Sequence, residues 1–137
     1  MWPVYLVAVA SMVFGAASIV EHLWNEPEPE IWVVTSYCAC KKCCGAWATK
    51  GVDAQGNRIT ASGHVIKPGD KFVAAPKNIP FGTLITIPSY SDHPVPVLDR
   101  GGAIGKGRLD LYFGDENGVT GHQRALNWGV RYFEVVK

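Results

Sequence analysis

Two aspartates in one stretch, Val97-Leu-Asp99-Arg-Gly-Gly-Ala-Ile-Gly-Lys-Gly-Arg-Leu-Asp110-Leu-Tyr-Phe113, are the residues best placed to do chemistry. An apolar run delivers Asp99 into a glycine-rich loop, and a second apolar run delivers Asp110. A carboxyl group bordered by Leu98, Leu109 and Leu111 is partly desolvated, which raises its pKa toward the range where one group both gives and takes a proton. Asp110, inside an apolar run, is the stronger candidate for that role, because an acid there is costly unless it is hydrogen-bonded or functional. Asp99 heads a loop, where an aspartate is also ordinary turn chemistry. Gly101, Gly102, Gly105 and Gly107 let a ligand approach the backbone and its N–H donors, while Lys106 and Arg108 can hold anionic substituents. This layout suits an anionic sugar polymer. Thr60 and Ser62, in Thr60-Ala-Ser-Gly63, add hydroxyls able to bind sugar hydroxyls, though the same residues form common turns.

A second group is the run Cys38-Ala-Cys40-Lys-Lys-Cys43-Cys44. Three chemistries fit it. In an oxidising compartment the leading expectation is disulfides, such as Cys38 with Cys44 and Cys40 with Cys43, although such small loops demand favourable geometry. A tetrathiolate zinc site needs four converging sulfurs, whereas adjacent Cys43 and Cys44 tend to diverge. A redox pair at Cys40-x-x-Cys43 lacks a signalled helix to lower the thiol pKa. His64, His93 and His122 lie in polar contexts without metal-site spacing and are expected at the solvated surface; no metal ligand is assigned.

The elements that must position these residues are mostly strands. Ile31–Tyr37, Lys71–Ala75, Thr83–Ile87, Pro94–Leu98, Leu109–Phe113 and Arg131–Val136 are rich in β-branched and aromatic residues and bounded by Gly, Pro or Asp. Six short strands suit a closed barrel. Only Gly121–Trp128 has helical spacing, with Gly129 to end it. Residues 50–70 read as an irregular connection. Trp128 is expected in the core, and Trp47 either there or stacked on a sugar ring.

With 137 residues, the chain has room for one domain, assigned to residues 31–137. Met1–Val20 has no charged side chain and is long enough to span a bilayer as a helix, so residues 1–24 read as a signal peptide or membrane anchor. Asn25-Glu-Pro-Glu-Pro-Glu30 is a solvated linker. The protein is therefore expected to be exported, either secreted or held in the cell envelope through its N-terminal segment. All basic side chains follow the linker: thirteen of them against eight acidic ones over residues 31–137, a net charge of +5. That excess favours an anionic partner without choosing its class.

In order along the chain, Thr35-Ser-Tyr-Cys-Ala-Cys-Lys-Lys-Cys-Cys-Gly45, Ile59-Thr-Ala-Ser-Gly63, Ile79-Pro-Phe-Gly-Thr83, Asp99-Arg-Gly-Gly-Ala-Ile104, Arg108-Leu-Asp-Leu-Tyr-Phe113 and Trp128-Gly129 form a pattern. It resembles the 3D domain family, named for three aspartates, and more distantly the catalytic barrel of membrane-bound lytic transglycosylase A. The resemblance implies an all-β, six-stranded double-psi β-barrel with a short C-terminal helix, preceded here by the N-terminal apolar helix. It further implies Asp110 as the active acid with Asp99 beside it, and peptidoglycan glycan strands rather than nucleic acid as partner. A monomer is expected, with no cofactor. In such enzymes one carboxyl group protonates the glycosidic oxygen and then accepts the proton of the muramyl 6-hydroxyl, closing a 1,6-anhydro ring without water. A hydrolase would instead use a second carboxylate. The chain departs from the pattern at the first aspartate, where it reads Val73-Ala-Ala-Pro76, with Asp70 a few residues upstream. A noncatalytic wall-binding module of expansin type is the rival reading, and a cysteine-centred structural or metal-binding protein the third.

Overall fold

A computed structural model describes residues 30–135. The expected apolar leader and nearly all of the linker lie outside the described residues, as do Val136 and Lys137.

Six strands form a single mixed sheet that curls into a half-barrel: β1 (Glu30–Tyr37), β2 (Val73–Ala74), β3 (Leu84–Ile85), β4 (Val95–Asp99), β5 (Arg108–Tyr112) and β6 (Arg131–Val135). Their order is β3-β4-β2-β5-β1-β6. Each falls where the β-branched runs predict, but β2 and β3 pair over two residues each. Hydrogen bonding outlasts the short β3 ladder, since Gly82 N–H donates to Val97 O at 2.8 Å and Val97 N–H donates to Thr83 O at 2.9 Å. The hydrogen-bonded order runs from edge to edge, so the sheet is an open curl rather than the ring expected from strand count.

β5 is the spine, parallel to β1 with Val34 opposite Leu109 and Thr35 opposite Asp110, and antiparallel to β2 with Ala74 opposite Asp110. Side chains alternate across a strand. Val34, Leu109, Leu111, Val73, Val95 and Val97 accordingly meet in the core, and Thr35, Tyr37, Ala74, Asp110 and Tyr112 share the other face.

The core face is closed by a helix at Gly121–Trp128, in agreement with the sequence reading. Thr120 caps it by accepting the Gln123 N–H at 3.2 Å, and Gly129, at φ 66°, ends it in a backbone conformation that L side chains rarely adopt. Trp128 is buried as expected and donates its indole N–H to Val34 O at 3.3 Å. Ser36 Oγ donates to Ala125 O at 2.7 Å, so the helix is tied to β1 at two levels. Two single-turn helices absent from the sequence reading, α1 (Lys41–Cys44) and α2 (Trp47–Lys50), follow β1, which makes the helix at Gly121–Trp128 α3. The 50–70 connection is less irregular than expected, because bridges Val52–Arg58 and Ile59–Val65 fold it on itself. No helix among the described residues is long and apolar enough to cross a membrane.

Candidate functional site

Asp99 and Asp110 come together because of one irregularity. Val73 pairs with Val97, yet the next residue, Ala74, pairs with Asp99, so β4 carries one extra residue, Leu98, against β2. By simple alternation Asp99 would follow Val95 and Val97 into the core. The bulge reverses that phase and turns Asp99 onto the face of Asp110, a use to which bulges near functional sites are often put. Both aspartates thus flank Ala74, one on each neighbouring strand.

Their environments differ. Asp99 is held as an acceptor: Oδ2 takes the Tyr37 O–H at 2.5 Å, and Oδ1 takes the N–H groups of Ala61 and Arg100, each at 2.9 Å. Among the described residues Asp110 receives only the Thr35 hydroxyl, on Oδ1 at 3.0 Å. Burial pushes the Asp110 carboxyl above the ordinary carboxylate range, and the nearby Asp99 charge pushes the same way. The Thr35 hydrogen bond and the Arg108 charge only partly oppose them. Tyr37 is driven well above its ordinary value, first by burial and then by the Asp99 charge, so it stays a protonated donor. One carboxylate is anchored, and the other is disposed to hold a proton.

The other candidates divide. Thr60 is buried, its hydroxyl 3.0 Å from that of Ser62. Ser62 is exposed and donates its N–H to Leu98 O at 3.1 Å, which sets the Thr60–Gly63 turn against the end of β4 and aims the Ala61 N–H at Asp99. Gly101, Gly102 and Lys106 are exposed in the loop between β4 and β5. Arg108 is half-buried, and its Nε is a buried donor with no partner among the described residues. Arg100 is occupied structurally: its guanidinium donates to Ala75 O at 3.1 Å and to Ile79 O at 2.5 Å, and lies 4.1 Å from the centre of the Phe81 ring. Asp70 is engaged away from the pair, accepting from Lys67 N–H at 2.8 Å with His64 Nε2 also at 2.8 Å. Ala75, in the segment that departs from the family pattern, is buried in the core. Trp47 is 73% exposed and free to meet a ligand.

Sequence reasoning missed Thr35, Tyr37 and the Ala61 amide as parts of this site. The two-residue spacing of Thr35 and Tyr37 on one strand was a usable signal, because it places both on the face opposite Val34.

The cysteines do not adopt the expected pairings. All four are free thiols. Cys44 Sγ donates to Cys38 O at 3.1 Å, while the sulfurs of Cys38, Cys40 and Cys43 gather around His122 Nδ1. His122 is thus half-buried against thiols, and His64 half-buried against Asp70, whereas His93 is exposed as expected. Beside the thiols lies a cavity of ≈ 930 Å³ lined by Cys38, Cys40, Lys41, Lys42, Arg58, Lys67, Tyr112, Asp115 and His122 among others. Neither Asp99 nor Asp110 lines it. Asp99 lies beside two exposed segments instead, 61–63, whose Ala61 N–H it accepts, and 101–103, which follow it in the chain.

Compared with known proteins, the chain matches no family model and no curated protein.

Proposed function

We propose that this protein is a peptidoglycan lytic transglycosylase with Asp110 as general acid and base, on a double-psi β-barrel of the 3D domain type. The observation that carries this reading is the unequal carboxyl pair. Asp110 has its proton affinity raised by burial and by Asp99, and Asp99 is locked by three donors on the same face of the sheet.

In this reading Asp110 enters the reaction protonated, with Thr35 orienting its Oδ1. It gives its proton to the glycosidic oxygen as the bond to the muramyl anomeric carbon breaks. The resulting carboxylate then takes the proton of the muramyl 6-hydroxyl as that oxygen bonds to the anomeric carbon. The carboxyl is restored and water is not consumed, so a single acid suffices. Asp99 stays held by its three donors, and its charge raises the proton affinity of Asp110 and stabilises positive charge developing on the sugar. The exposed loop glycines and Lys106 follow Asp99 in the chain, and Arg108 lies two residues before Asp110 on the same strand. The net charge of +5 over residues 31–137 suits an anionic wall polymer, and an apolar leader suits export to it.

The test is mass spectrometry of purified peptidoglycan incubated with residues 31–137, wild type against Asp110→Asn. Anhydromuropeptides from the wild type alone support the assignment. Reducing ends would make the enzyme a hydrolase, and wall binding without products would make the domain a noncatalytic module.

A further inference from the structure

We propose that Cys38, Cys40, Cys43 and His122 form a tetrahedral zinc site of Cys3His type that pins the end of β1 to the start of α3. The four ligand atoms all lie within 4.8 Å of one another. Cys38 and Cys43 sulfurs are 3.4 Å apart, and His122 Nδ1 is 3.9, 3.5 and 3.4 Å from the sulfurs of Cys38, Cys40 and Cys43. A zinc ion with Zn–S near ~2.3 Å and Zn–N near ~2.05 Å at tetrahedral angles requires S···S edges of about 3.8 Å and S···N edges of about 3.6 Å. Those four edges lie within about 0.4 Å of these values, and the remaining two S···S edges are no longer than 4.8 Å. The spacing argument against a four-cysteine site holds for Cys44, whose thiol turns to the Cys38 carbonyl, but the fourth corner is filled from 84 residues away by a histidine.

The surroundings suit a metal thiolate. Three thiolates and one divalent ion leave a single negative charge, beside which the chain places Lys41 and Lys42. Binding releases the three thiol protons to solvent as the Zn–S bonds form, and His122 binds through Nδ1 with its proton on Nε2. No oxidant or reductant is involved. All four positions are taken by protein, which makes the site structural rather than catalytic. Cys38 directly follows Tyr37, so the ion would also brace the residue that holds Asp99. This assignment stands independently of whether the aspartates cleave glycan.

The experiment is metal analysis of the full chain purified under reducing conditions, followed by cobalt(II) titration of the stripped protein. The expected result is one zinc per chain and the intense visible absorption of tetrahedral cobalt thiolate. Affinity should fall more than about 100-fold in Cys40→Ser and His122→Ala and persist in Cys44→Ser and in His122→Cys, which restores a fourth ligand. Three results would each overturn the proposal: no metal taken up by the folded, reduced chain; equal loss in Cys44→Ser and Cys40→Ser; or an intact mass showing disulfides in chain isolated without reductant.

Discussion

Replacing Tyr37 by Phe removes one atom from the network that holds Asp99, and the size of the effect follows from the geometry. The Tyr37 O–H···Asp99 Oδ2 distance of 2.5 Å is that of a charge-assisted bond, a class worth about 1.5–3 kcal/mol. Asp99 is half-buried, so water can replace part of the lost bond and the lower part of that range applies, about 1.5–2 kcal/mol. Oδ1 keeps both of its N–H donors. The Phe ring keeps the edge-on contact with Tyr112, whose centroid is 5.8 Å away, so no cavity term is added. For a domain of roughly 100 residues each kcal/mol moves the melting temperature by about 4 °C, giving a loss of about 6–8 °C. Thermal unfolding at pH 7 of wild type, Tyr37→Phe, Asp99→Asn and the double variant measures this. The cycle should return a coupling above about 1 kcal/mol. Additivity within about 0.5 kcal/mol would refute the reasoning, because independent sites behave that way.

Asp110→Asn should abolish anhydromuropeptide release and, at neutral pH, stabilise the fold. The folded-state pKa of Asp110 lies above its unfolded value, so its favourable contribution is present below about pH 4 and is lost as pH rises through the folded pKa. Melting curves should show the variant's advantage at pH 7 shrinking to nothing near pH 3.5. For the same reason wild-type cleavage should decline on the alkaline side of that raised pKa, a limb visible in a pH–rate profile. Gly121→Ala would drive a methyl into Phe113 O, a backbone atom that cannot swing aside, and urea unfolding should show a loss of about 1–3 kcal/mol or more. Leu111→Ala, at a fully buried core position, should cost about 2–5 kcal/mol in the same assay. Leu111 faces away from Asp110, so chain that remains folded should keep its cleavage chemistry.

The strands were legible because each is a short apolar run between turn residues, information local to the run. The site was legible only in outline. Asp110 could be placed by alternation with Leu109 and Leu111, but the turn of Asp99 onto its face depends on a bulge between β2 and β4 that neither strand announces alone. The expected end of β4 at Leu98 fell one residue short, and that residue is Asp99 itself. Thr60 read as a binding hydroxyl and instead lies buried in a turn that delivers its neighbour's amide. His122 looked like a surface residue because nothing near it in sequence is a metal ligand; its thiol neighbours arrive only once α3 packs on β1. Signals carried by one segment survived in the sequence, and those made by two distant segments did not.

The pairing of β1 with β6 has a mechanical consequence. Glu30 lies opposite Val135 and Val34 opposite Arg131 in an antiparallel ladder, so the chain enters and leaves the domain at one end of the same pair of strands. Tension applied between residues 30 and 135 would open that ladder like a zipper, breaking its bonds one after another rather than together in shear. β6 would peel away at low force while the Thr35–Asp110 register, on the opposite side of β1, stayed intact. A pull on the N-terminal side alone meets a different resistance, because β1 is also bonded in parallel to β5 and must slide against it. The domain is thus soft to a load spread across its two ends and stiff to one borne by an N-terminal tether.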